Sequence, residues 1–599
     1  MYTAAAPHIN GKFLYYAFIA GGKEILRNQT EINRINVFPV SDNDTGTNLA
    51  STIRSVIDNI RPHKSYKTTV NNIADAALIG ARGNSGVIFA QFLHGLSRET
   101  QNKPVITLPE FAESVRRSIP YIYEAIANPV EGTMLTVIRD WSDFLIAKKE
   151  AIHDFKKVII ESIEVLEKSL AETTVKLKAL NKSGFVDAGA KGFVLFIKGI
   201  INFIINRNVR NLVVAPEETI SLVHTEETGT EEITHRYCTE AIIKNLKISI
   251  PELQGILNSN GDSVVVAGSG AICRIHVHAN HPAELFHQLN DAGTITYQKV
   301  DDMVRQQETA YKRKWNIALV TDSTCDLPRE IIDHYQVHMV PINLNFGDSH
   351  YLDKVTIQPD QFYDLLDKHP ESPKTSQINE QVFTNLFSHL ASHYDAIIAI
   401  HLSNHFSGTY ANSAKAGKRI SKEFNKQVHV IDSKNLSGSL GLLVLRTAQR
   451  IEAGETVDSI VKSVQDDIVQ SKIYVSVRDL KYLIRGGRVS KPKGIVARAL
   501  GLNPVISVDE NGKSVLFGKT FSQEASLNKI FRHIKKTGAG KSVWNYIIMH
   551  AHNPEGAEKA EAKMFEMTGL RAVSTVNISP AIGIHAGNGA VAISLLFNN

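Results

Sequence analysis

The spacing of apolar residues divides the chain into a helical first part and a last part that alternates strands with helices. Residues 1–210 carry long segments, such as 110–127 and 154–180, in which apolar residues recur at helical spacing. From about Trp315 onward, short apolar runs alternate with helical segments, and the runs are 317–320, 337–344, 396–400 and 428–431. This order is typical of an α/β domain with a parallel sheet.

Between these parts the pattern predicts a linker and a small α/β module. Residues 207–234 are acidic, rich in threonine and poor in large apolar residues, which indicates a linker. Residues 263–267 and 271–278 read as two strands joined by a glycine-containing turn. Alternation along the second strand places His276 and His278 on one face. We therefore predict three domains: 1–208, 209–312 with the linker, and 313–599.

Length and composition indicate a multidomain globular protein. A chain of 599 residues is too long for a single hydrophobic core. A formal net charge of +5 is small for this length and gives no reason to expect nucleic acid as a partner. The longest apolar run, 192–205, is interrupted by Lys198, so we expect no transmembrane segment. Three scattered cysteines exclude a disulfide framework and favour the cytoplasm.

A polar loop that leads into a helix is the first candidate site. Residues 36–48 read NVFPVSDNDTGTN, and apolar residues at helical spacing follow from Leu49. Free N–H groups at a helix start can bind phosphate, and Asp42 and Asp44 supply the oxygen ligands that Mg²⁺ prefers. The same residue types also form ordinary turns and helix caps. Residue types alone leave both interpretations open.

Three further segments of the first part join this loop in one family resemblance. They are GARGNSGVI at 80–88, PVEGT at 129–133 and VDAGAKG at 186–192. With the loop, and in this order, they resemble the nucleotide-binding segments of the dihydroxyacetone-kinase L-type family, in the branch found in bacterial fatty acid kinases. Ser41 and Asn43 depart from that pattern, where Pro and Gly are usual.

The resemblance implies an all-α helical barrel that binds ATP at one end. It implies that Asp42 and Asp44 are catalytic residues that hold Mg²⁺ on the ATP phosphates. The other cofactor-binding residues implied by matching position are Asn36, Thr45, Gly46, Thr47, Asn48, Asn84, Ser85, Gly86, Gly132, Thr133 and Asp187. A Walker-type Gly-Lys-Ser/Thr motif is absent from the sequence, so a P-loop kinase is not expected.

The middle module carries a candidate metal site. The segment YCTE at 237–240, followed by His276-Val277-His278, resembles the middle domain of fatty acid kinases. There the matching cysteine and two histidines bind zinc, which implies Cys238, His276 and His278 as Zn²⁺ ligands here. A thiolate and two imidazoles suit Zn²⁺. Without the resemblance, a buried cysteine and two half-buried strand histidines would be the preferred interpretation.

Five segments of the last part resemble the DegV family. They are TDSTCDLP at 321–328, KTSQ at 374–377, FSGTY at 406–410, RGGRVS at 485–490 and GIHAG at 583–587. The resemblance implies a two-lobed α/β domain that buries the tail of a long-chain fatty acid. It implies that the substrate-binding residues near the carboxylate are Thr375, Ser376, Ser407, Gly408 and His585. Arg488 is the implied catalytic cation near the site.

Together the resemblances imply a fatty acid kinase joined to its own carrier. ATP and a fatty acid bound by the same chain would give an acyl phosphate and ADP, and a separate enzyme would accept the acyl group. We expect a homodimer. Two alternatives stay open at this point. One is a kinase for another small substrate with the DegV domain as a lipid-binding regulatory module, and the other is a non-enzymatic lipid-binding protein.

Overall fold

The structure is a computed structural model that describes residues 7–37, 44–206, 233–369, 371–479, 481–486 and 503–598. The chain forms two compact units. The first comprises Met1–His281 with Gln288–Asp301, and the second comprises Pro282–His287 with Asp302–Asn599. The helical part and most of the small α/β module therefore belong to the same unit.

Helices form most of the first unit, and polar residues define several of their starts. Asn10 caps the first helix through Phe13 N, and Thr107 forms a capping box with Glu110 at the sixth. Two short strands, β1 (His8–Asn10) and β2 (Val105–Thr107), pair antiparallel. The helices are α1 (Gly11–Arg27), α2 (Gln29–Arg34), α3 (Thr45–Asn59), α4 (Tyr66–Gly80), α5 (Gly83–Glu99), α6 (Leu108–Glu124), α7 (Met134–Lys148), α8 (Phe155–Lys176), α9 (Lys178–Ser183) and α10 (Ala188–Asn206).

Helix α10 is a core helix of this unit. Among the described helices it alone is long and apolar enough to cross a bilayer by length and composition. In the structure, 67% of its most apolar window is buried. Phe193, Phe196 and their neighbours pack into the same core as α1 and α5. Burial inside the helical unit accounts for its apolar character, so it is a weak candidate for a membrane span.

The small module adds a four-stranded sheet to the helical part. Its strand order is β4-β5-β3-β6. The elements are β3 (Tyr237–Lys244), α11 (Ile250–Asn260), β4 (Gly261–Gly268), β5 (Ile272–Ala279), α12 (Pro282–Leu289) and β6 (Thr294–Asp302). Ala127 N donates to Val264 O at 3.1 Å, and Val266 N donates to Ala125 O at 2.8 Å. Val265 and Ala267 belong to the helical core, so the sheet packs directly on the helices.

The second unit contains a parallel sheet and a larger, mainly antiparallel one. Strands β13-β12-β7-β8 are parallel, as predicted. The six-stranded sheet has the order β16-β15-β14-β19-β17-β18, and a three-stranded sheet has the order β10-β9-β11. The predicted strand 337–344 is wrong as one element. It is two strands in different sheets, because Pro341 between them has no N–H for a ladder.

The elements of this unit alternate strands with helices over most of its length. They are α13 (Met303–Tyr311), β7 (Ile317–Asp322), α14 (Arg329–His334), β8 (His338–Val340), β9 (Asn343–Phe346), β10 (Ser349–Leu352), α15 (Pro359–Leu366), β11 (Lys374–Ser376), α16 (Glu380–Ala391), β12 (Ala396–His401), α17 (Thr409–Phe424), β13 (Gln427–Asp432), α18 (Ser437–Glu452), α19 (Val457–Gln470), β14 (Ser471–Ser476), α20 (Lys481–Arg485), β15 (Asn503–Val508), β16 (Ser514–Thr520), α21 (Gln523–Thr537), β17 (Val543–His550), α22 (Pro554–Thr568), β18 (Thr575–Asn577), α23 (Pro580–Ala586) and β19 (Val591–Phe597). The predicted fold class is confirmed: a helical first part, an α/β module and an α/β last part.

Candidate nucleotide, metal and lipid sites

The loop that opens the candidate nucleotide site lies partly outside the described residues. Asp42 lies outside them, whereas Asn36 and Asp44 are described. Asn36 is 2% exposed, and Asp44 directly precedes α3. Arg488 of the last part also lies outside the described residues. The predicted roles of Asp42 and Arg488 therefore stay predictions.

The first turn of α3 is held against α2 by side chains that the sequence analysis did not single out. Thr47 N donates to Asn33 Oδ1 at 3.0 Å, and Thr47 Oγ1 accepts from Asn33 Nδ2 at 3.0 Å. A Cβ on Gly46 would lie 2.2 Å from Gln29 O. Gly46 and Thr47 thus have packing roles, and the Thr47 N–H is already engaged. Thr45 and Asn48 are also buried in this turn.

The second glycine-rich turn meets the first. Gly83 begins α5 with φ +55°, and a Cβ there would lie 2.1 Å from Asn48 Nδ2. A Cβ on Gly86 would lie 2.7 Å from Thr52 Oγ1, so small residues allow α3 and α5 to approach closely. Asn84 Oδ1 is buried and has no hydrogen-bond partner among the described residues. A buried acceptor of this kind is costly unless a ligand or water satisfies it.

The third and fourth segments meet at Asp187. Asp187 Oδ1 accepts from Met134 N at 3.1 Å and from Ala190 N at 2.7 Å, so one carboxylate caps both α7 and α10. Burial raises the pKa of Asp187 to about 6, although both N–H donors oppose the shift. A Cβ on Gly189 would lie 3.1 Å from Ser85 Oγ and 3.4 Å from Asp187 Oδ1. The second and fourth segments are therefore neighbours.

Gly132 and Thr133 form the turn that precedes α7, next to the helix start that Asp187 caps. Gly132 has φ +85°, and its N–H donates to Thr136 Oγ1 at 2.8 Å. Thr133 directly precedes α7, and its hydroxyl donates to Val130 O at 2.8 Å. The left-handed conformation explains why a glycine occupies position 132. The described residues of all four segments thus lie in one region of the first unit.

The structure brings the three predicted metal ligands together. One ligand atom each from Cys238, His276 and His278 lies within 4.8 Å of the others. Strand register explains the cluster, because Cys238 pairs with His278 across β3 and β5 on one face of the sheet. The Nε2 of His276 is buried without a hydrogen-bond partner among the described residues. One sulfur and two imidazoles with a buried unpaired nitrogen fit a Zn²⁺ ion.

Carboxylates lie behind both histidines. Glu240 Oε1 lies 3.5 Å from His276 Nδ1, and Asp262 Oδ1 lies 3.5 Å from His278 Nδ1. Such partners orient metal-binding histidines. Burial lowers the pKa of His278 to about 3, so its imidazole is neutral as a ligand must be. Burial raises the pKa of Cys238, and the charges of Glu240, Asp301 and, less strongly, Asp44 add to the shift.

Glu240 and Arg274 are buried residues of this face that the sequence analysis missed. Arg274 donates from a terminal guanidinium nitrogen to Glu240 Oε2 at 2.8 Å, and each residue is 1% exposed. Burial acts to raise the pKa of Glu240. The His276 hydrogen bond and the Arg274 charge outweigh burial and hold this pKa well below its usual range. Alternation along β3 could have identified Glu240, since it lies two residues from Cys238 and so shares its face.

The last part contains a cavity of about 260 Å³ that gathers four of the predicted substrate residues. Thr375, Ser376, Ser407 and His585 all line it. The rest of the wall is mostly apolar and includes Ile342, Leu402, Phe406, Leu436, Ile473, Val475, Val477, Leu483, Ile506, Val508 and Ile582. A largely apolar cavity with a few polar groups is the usual form of a site for an amphipathic ligand.

Hydrogen bonds around Ser407 define the polar part of this cavity. Thr409 N donates to Ser407 Oγ at 3.2 Å, and the two hydroxyl oxygens lie 2.8 Å apart. Gly408 precedes α17 and has no room for a side chain, since a Cβ would lie 1.9 Å from Gln377 Oε1. Gln377 and Thr324 also line the cavity, although the sequence analysis did not single them out. Gln377 directly follows the predicted residue Ser376, and Thr324 lies in the segment TDSTCDLP at 321–328.

Three family models match the chain in order. The model described as a DAK2 domain matches residues 39–202. The model for the middle domain of proteins like fatty acid kinase matches residues 234–310. The model described as an uncharacterised protein of the DegV family matches residues 316–598. The resemblances drawn from the motifs are confirmed at the level of these three domains.

Individual relatives match at modest identity. An uncharacterised protein of Staphylococcus epidermidis is 30% identical over 318 residues, covering 51% of this chain and 57% of the relative. An uncharacterised protein of Staphylococcus haemolyticus is 32% identical over 324 residues, which cover 51% of this chain and 58% of the relative. The chain thus spans less than two thirds of these relatives. The solved structure titled DegV, a fatty acid binding protein from Bacillus subtilis, is 29% identical with TM-score 0.43, covering 48% of this chain and 100% of that one.

Proposed function

We propose that this chain, which joins a DAK2 domain, a fatty acid kinase middle domain and a DegV domain, transfers the γ-phosphate of ATP to the carboxylate of a fatty acid. The observation that carries the proposal is the combination of two sites in one chain. One site, in the first unit, brings together the four segments that resemble nucleotide-binding segments and contains the buried oxygen Asn84 Oδ1, which has no hydrogen-bond partner among the described residues. The other site, in the last part, is an apolar cavity with hydroxyl and imidazole groups in its wall.

The residues of the first site are of the types that phosphoryl transfer uses. Asp42 and Asp44 would hold Mg²⁺, which supplies charge neutralisation to the ATP phosphates when bound. Asn84 and Ser85 lie in the first turn of α5, where N–H groups without helical partners favour an anion. Asp187 fixes the starts of α7 and α10, which keeps the third and fourth segments in place. The site therefore acts by positioning rather than through a covalent intermediate.

The second site separates the tail of a fatty acid from its head. Apolar walls bind the tail, and burial is worth about 0.8 kcal/mol for each methylene group. A carboxylate leaving water needs donors. If the Thr409 hydroxyl donates to Ser407 Oγ, then the Ser407 hydrogen is available to a carboxylate. Thr375, Ser376 and His585 offer further donors along the same wall.

The reaction proposed is a direct displacement. A carboxylate oxygen of the fatty acid forms a bond to the γ-phosphorus, the bond from that phosphorus to the β–γ bridging oxygen breaks, and ADP leaves with the bonding electron pair.

The middle module contributes a Zn²⁺ site made of Cys238, His276 and His278. The donor set, the shared face and the carboxylates behind both histidines support this assignment.

Hydroxylamine trapping tests the function. The purified chain is incubated with ATP, Mg²⁺ and palmitate, and acyl phosphate is converted to an acyl hydroxamate that mass spectrometry detects. We expect product from the wild-type chain and from Asp58→Ala, a control at an exposed carboxylate on the same helix α3. We expect none from Asp44→Ala, with palmitate binding unchanged. Absence of hydroxamate from the wild-type chain would contradict the proposal.

A further inference from the structure

The buried carboxylate of Glu240 lies between the metal cluster, which is Cys238, His276 and His278, and the turn at 83–85 that begins α5, hereafter the nucleotide turn. Glu240 Oε1 accepts from Gly83 N at 2.6 Å and lies 3.5 Å from His276 Nδ1. One oxygen atom thus touches both a metal-ligand candidate and the first residue of α5. Glu240 belongs to the middle module, and Gly83 belongs to the second nucleotide segment. Both lie in the first compact unit.

Arg274 holds this carboxylate in place. It donates to Glu240 Oε2 at 2.8 Å and, from its other terminal nitrogen, to Ile79 O at 3.0 Å in the last turn of α4. The guanidinium therefore binds both the carboxylate and the helix that precedes the nucleotide turn. A buried ion pair with fixed hydrogen bonds leaves Glu240 little freedom, because any other rotamer would strand a buried charge.

Gly83 has equally little freedom. Its N–H is bound to Glu240, its φ is +55°, and the space where a Cβ would stand is occupied by Asn48. A shift of the Glu240 carboxylate must therefore move Gly83 and, through it, the Asn84 and Ser85 positions that follow. The nucleotide turn and the metal cluster share a rigid connection of three residues: His276, Glu240 and Gly83.

We propose that Glu240, held by Arg274, is a positioning residue that couples metal binding at Cys238, His276 and His278 to nucleotide binding at the α5 turn. The inference rests on the proposed function for the identity of the two ligands. A metal ion that binds His276 changes the position and charge of the imidazole beside Glu240, and the firmly held carboxylate passes that change to the turn that receives the nucleotide. Each ligand should therefore raise the affinity for the other by the same factor.

Binding measurements on the full chain test the coupling without using catalysis. Affinity for a non-hydrolysable ATP analogue with excess Mg²⁺ is measured by titration calorimetry with Zn²⁺ bound and after Zn²⁺ is removed by a chelator. We expect removal to weaken binding of the analogue at least about fivefold. In the reciprocal titration, the analogue should tighten Zn²⁺ binding by the same factor. This wild-type comparison needs no variant to fold.

Variants assign the coupling to Glu240. Glu240→Gln keeps the side-chain size but loses the charge that Arg274 and His276 face, and the three metal ligands remain. We expect this variant to bind Zn²⁺, to bind the analogue weakly, and to show no change when Zn²⁺ is removed. Glu252→Gln, at an exposed glutamate on α11 of the same module, should behave as wild type.

The failing outcomes are distinguishable. If the wild-type chain binds both ligands and Zn²⁺ removal changes analogue affinity less than twofold, the inference is wrong while the proposed function stands. Full coupling in Glu240→Gln would also overturn it. If the wild-type chain binds no Zn²⁺, then the inference and the proposed zinc site are wrong together, and acyl phosphate formation still tests the kinase.

Discussion

Removing the Asp187 carboxylate should destabilise the helical unit strongly. Asp187 is 6% exposed, and its Oδ1 accepts two backbone N–H groups from the starts of two different helices. Asp187→Ala would leave both donors buried and unsatisfied, at about 1–3 kcal/mol each, or about 2–6 kcal/mol together. For a unit of this size, 1 kcal/mol lowers Tm by about 2–4 °C, so we expect a fall of at least about 4 °C.

Two variants calibrate this measurement. Asp187→Asn keeps an acceptor oxygen for both N–H groups and should lose less than half as much Tm as Asp187→Ala. Asp154→Ala removes a cap from α8 alone, where the carboxylate accepts from Lys156 N at 3.1 Å, and should cost about 1 kcal/mol. Differential scanning calorimetry of the full chain follows the transition of the helical unit.

Either of two results would refute the proposal that the Asp187 carboxylate stabilises the starts of both α7 and α10. One is an Asp187→Ala chain whose transition lies within about 1 °C of wild type. The other is an Asp187→Asn chain as unstable as the alanine variant, because that would place the stabilisation in the charge rather than in the acceptor. Nucleotide affinity of the asparagine variant is measured in parallel, since the resemblance implies a cofactor-binding role for this residue.

Three further outcomes are expected. The pKa of Asp187 is raised to about 6 in the folded chain from its ordinary 3.8, so the folded state binds the proton more tightly than the unfolded state does. The Tm of the wild-type chain should therefore rise relative to that of Asp187→Asn as pH falls from 7 to 5. A constant difference in Tm over this pH range would contradict the expectation. Ser407→Ala should lower acyl phosphate formation far more than palmitate affinity, which should fall by no more than roughly 1–3 kcal/mol, and equal losses would make Ser407 a binding contact only. Elemental analysis should find one Zn²⁺ per chain and none after Cys238→Ser with His276→Ala, and retention of the metal would exclude the site.

Local pattern predicted those parts of the structure that depend on local geometry. Alternation along 271–278 placed His276 and His278 on one face, and strand β5 has that arrangement. The apolar runs at 396–400 and 428–431 predicted two strands of a parallel sheet, and in the structure these strands pair in parallel. Motifs from three distant segments of the last part supplied the predicted residues Thr375, Ser376, Ser407 and His585, which line one cavity. Each of these predictions rests on a period or on a matched motif.

Contacts between distant segments could not be read from the sequence. Glu240 and Gly83 are 157 positions apart, and only the packing of the sheet on the helices brings them together. The hydrogen bonds of Thr47 to Asn33 and the two caps made by Asp187 likewise depend on tertiary packing. The six-stranded sheet was not predicted, because its order depends on pairs of strands that are far apart in sequence, such as β14 with β19.

Transfer of labelled phosphate from ATP to a fatty acid is the direct test of the proposed kinase reaction. The purified chain is incubated with ATP labelled at the γ-phosphate, Mg²⁺ and palmitate, and label is followed into the lipid extract while ADP is measured. We expect a lipid-soluble, hydroxylamine-sensitive labelled product that depends on palmitate and is formed in equal amount to ADP. ADP formation with all label in inorganic phosphate, at a rate independent of palmitate, would contradict the proposed reaction.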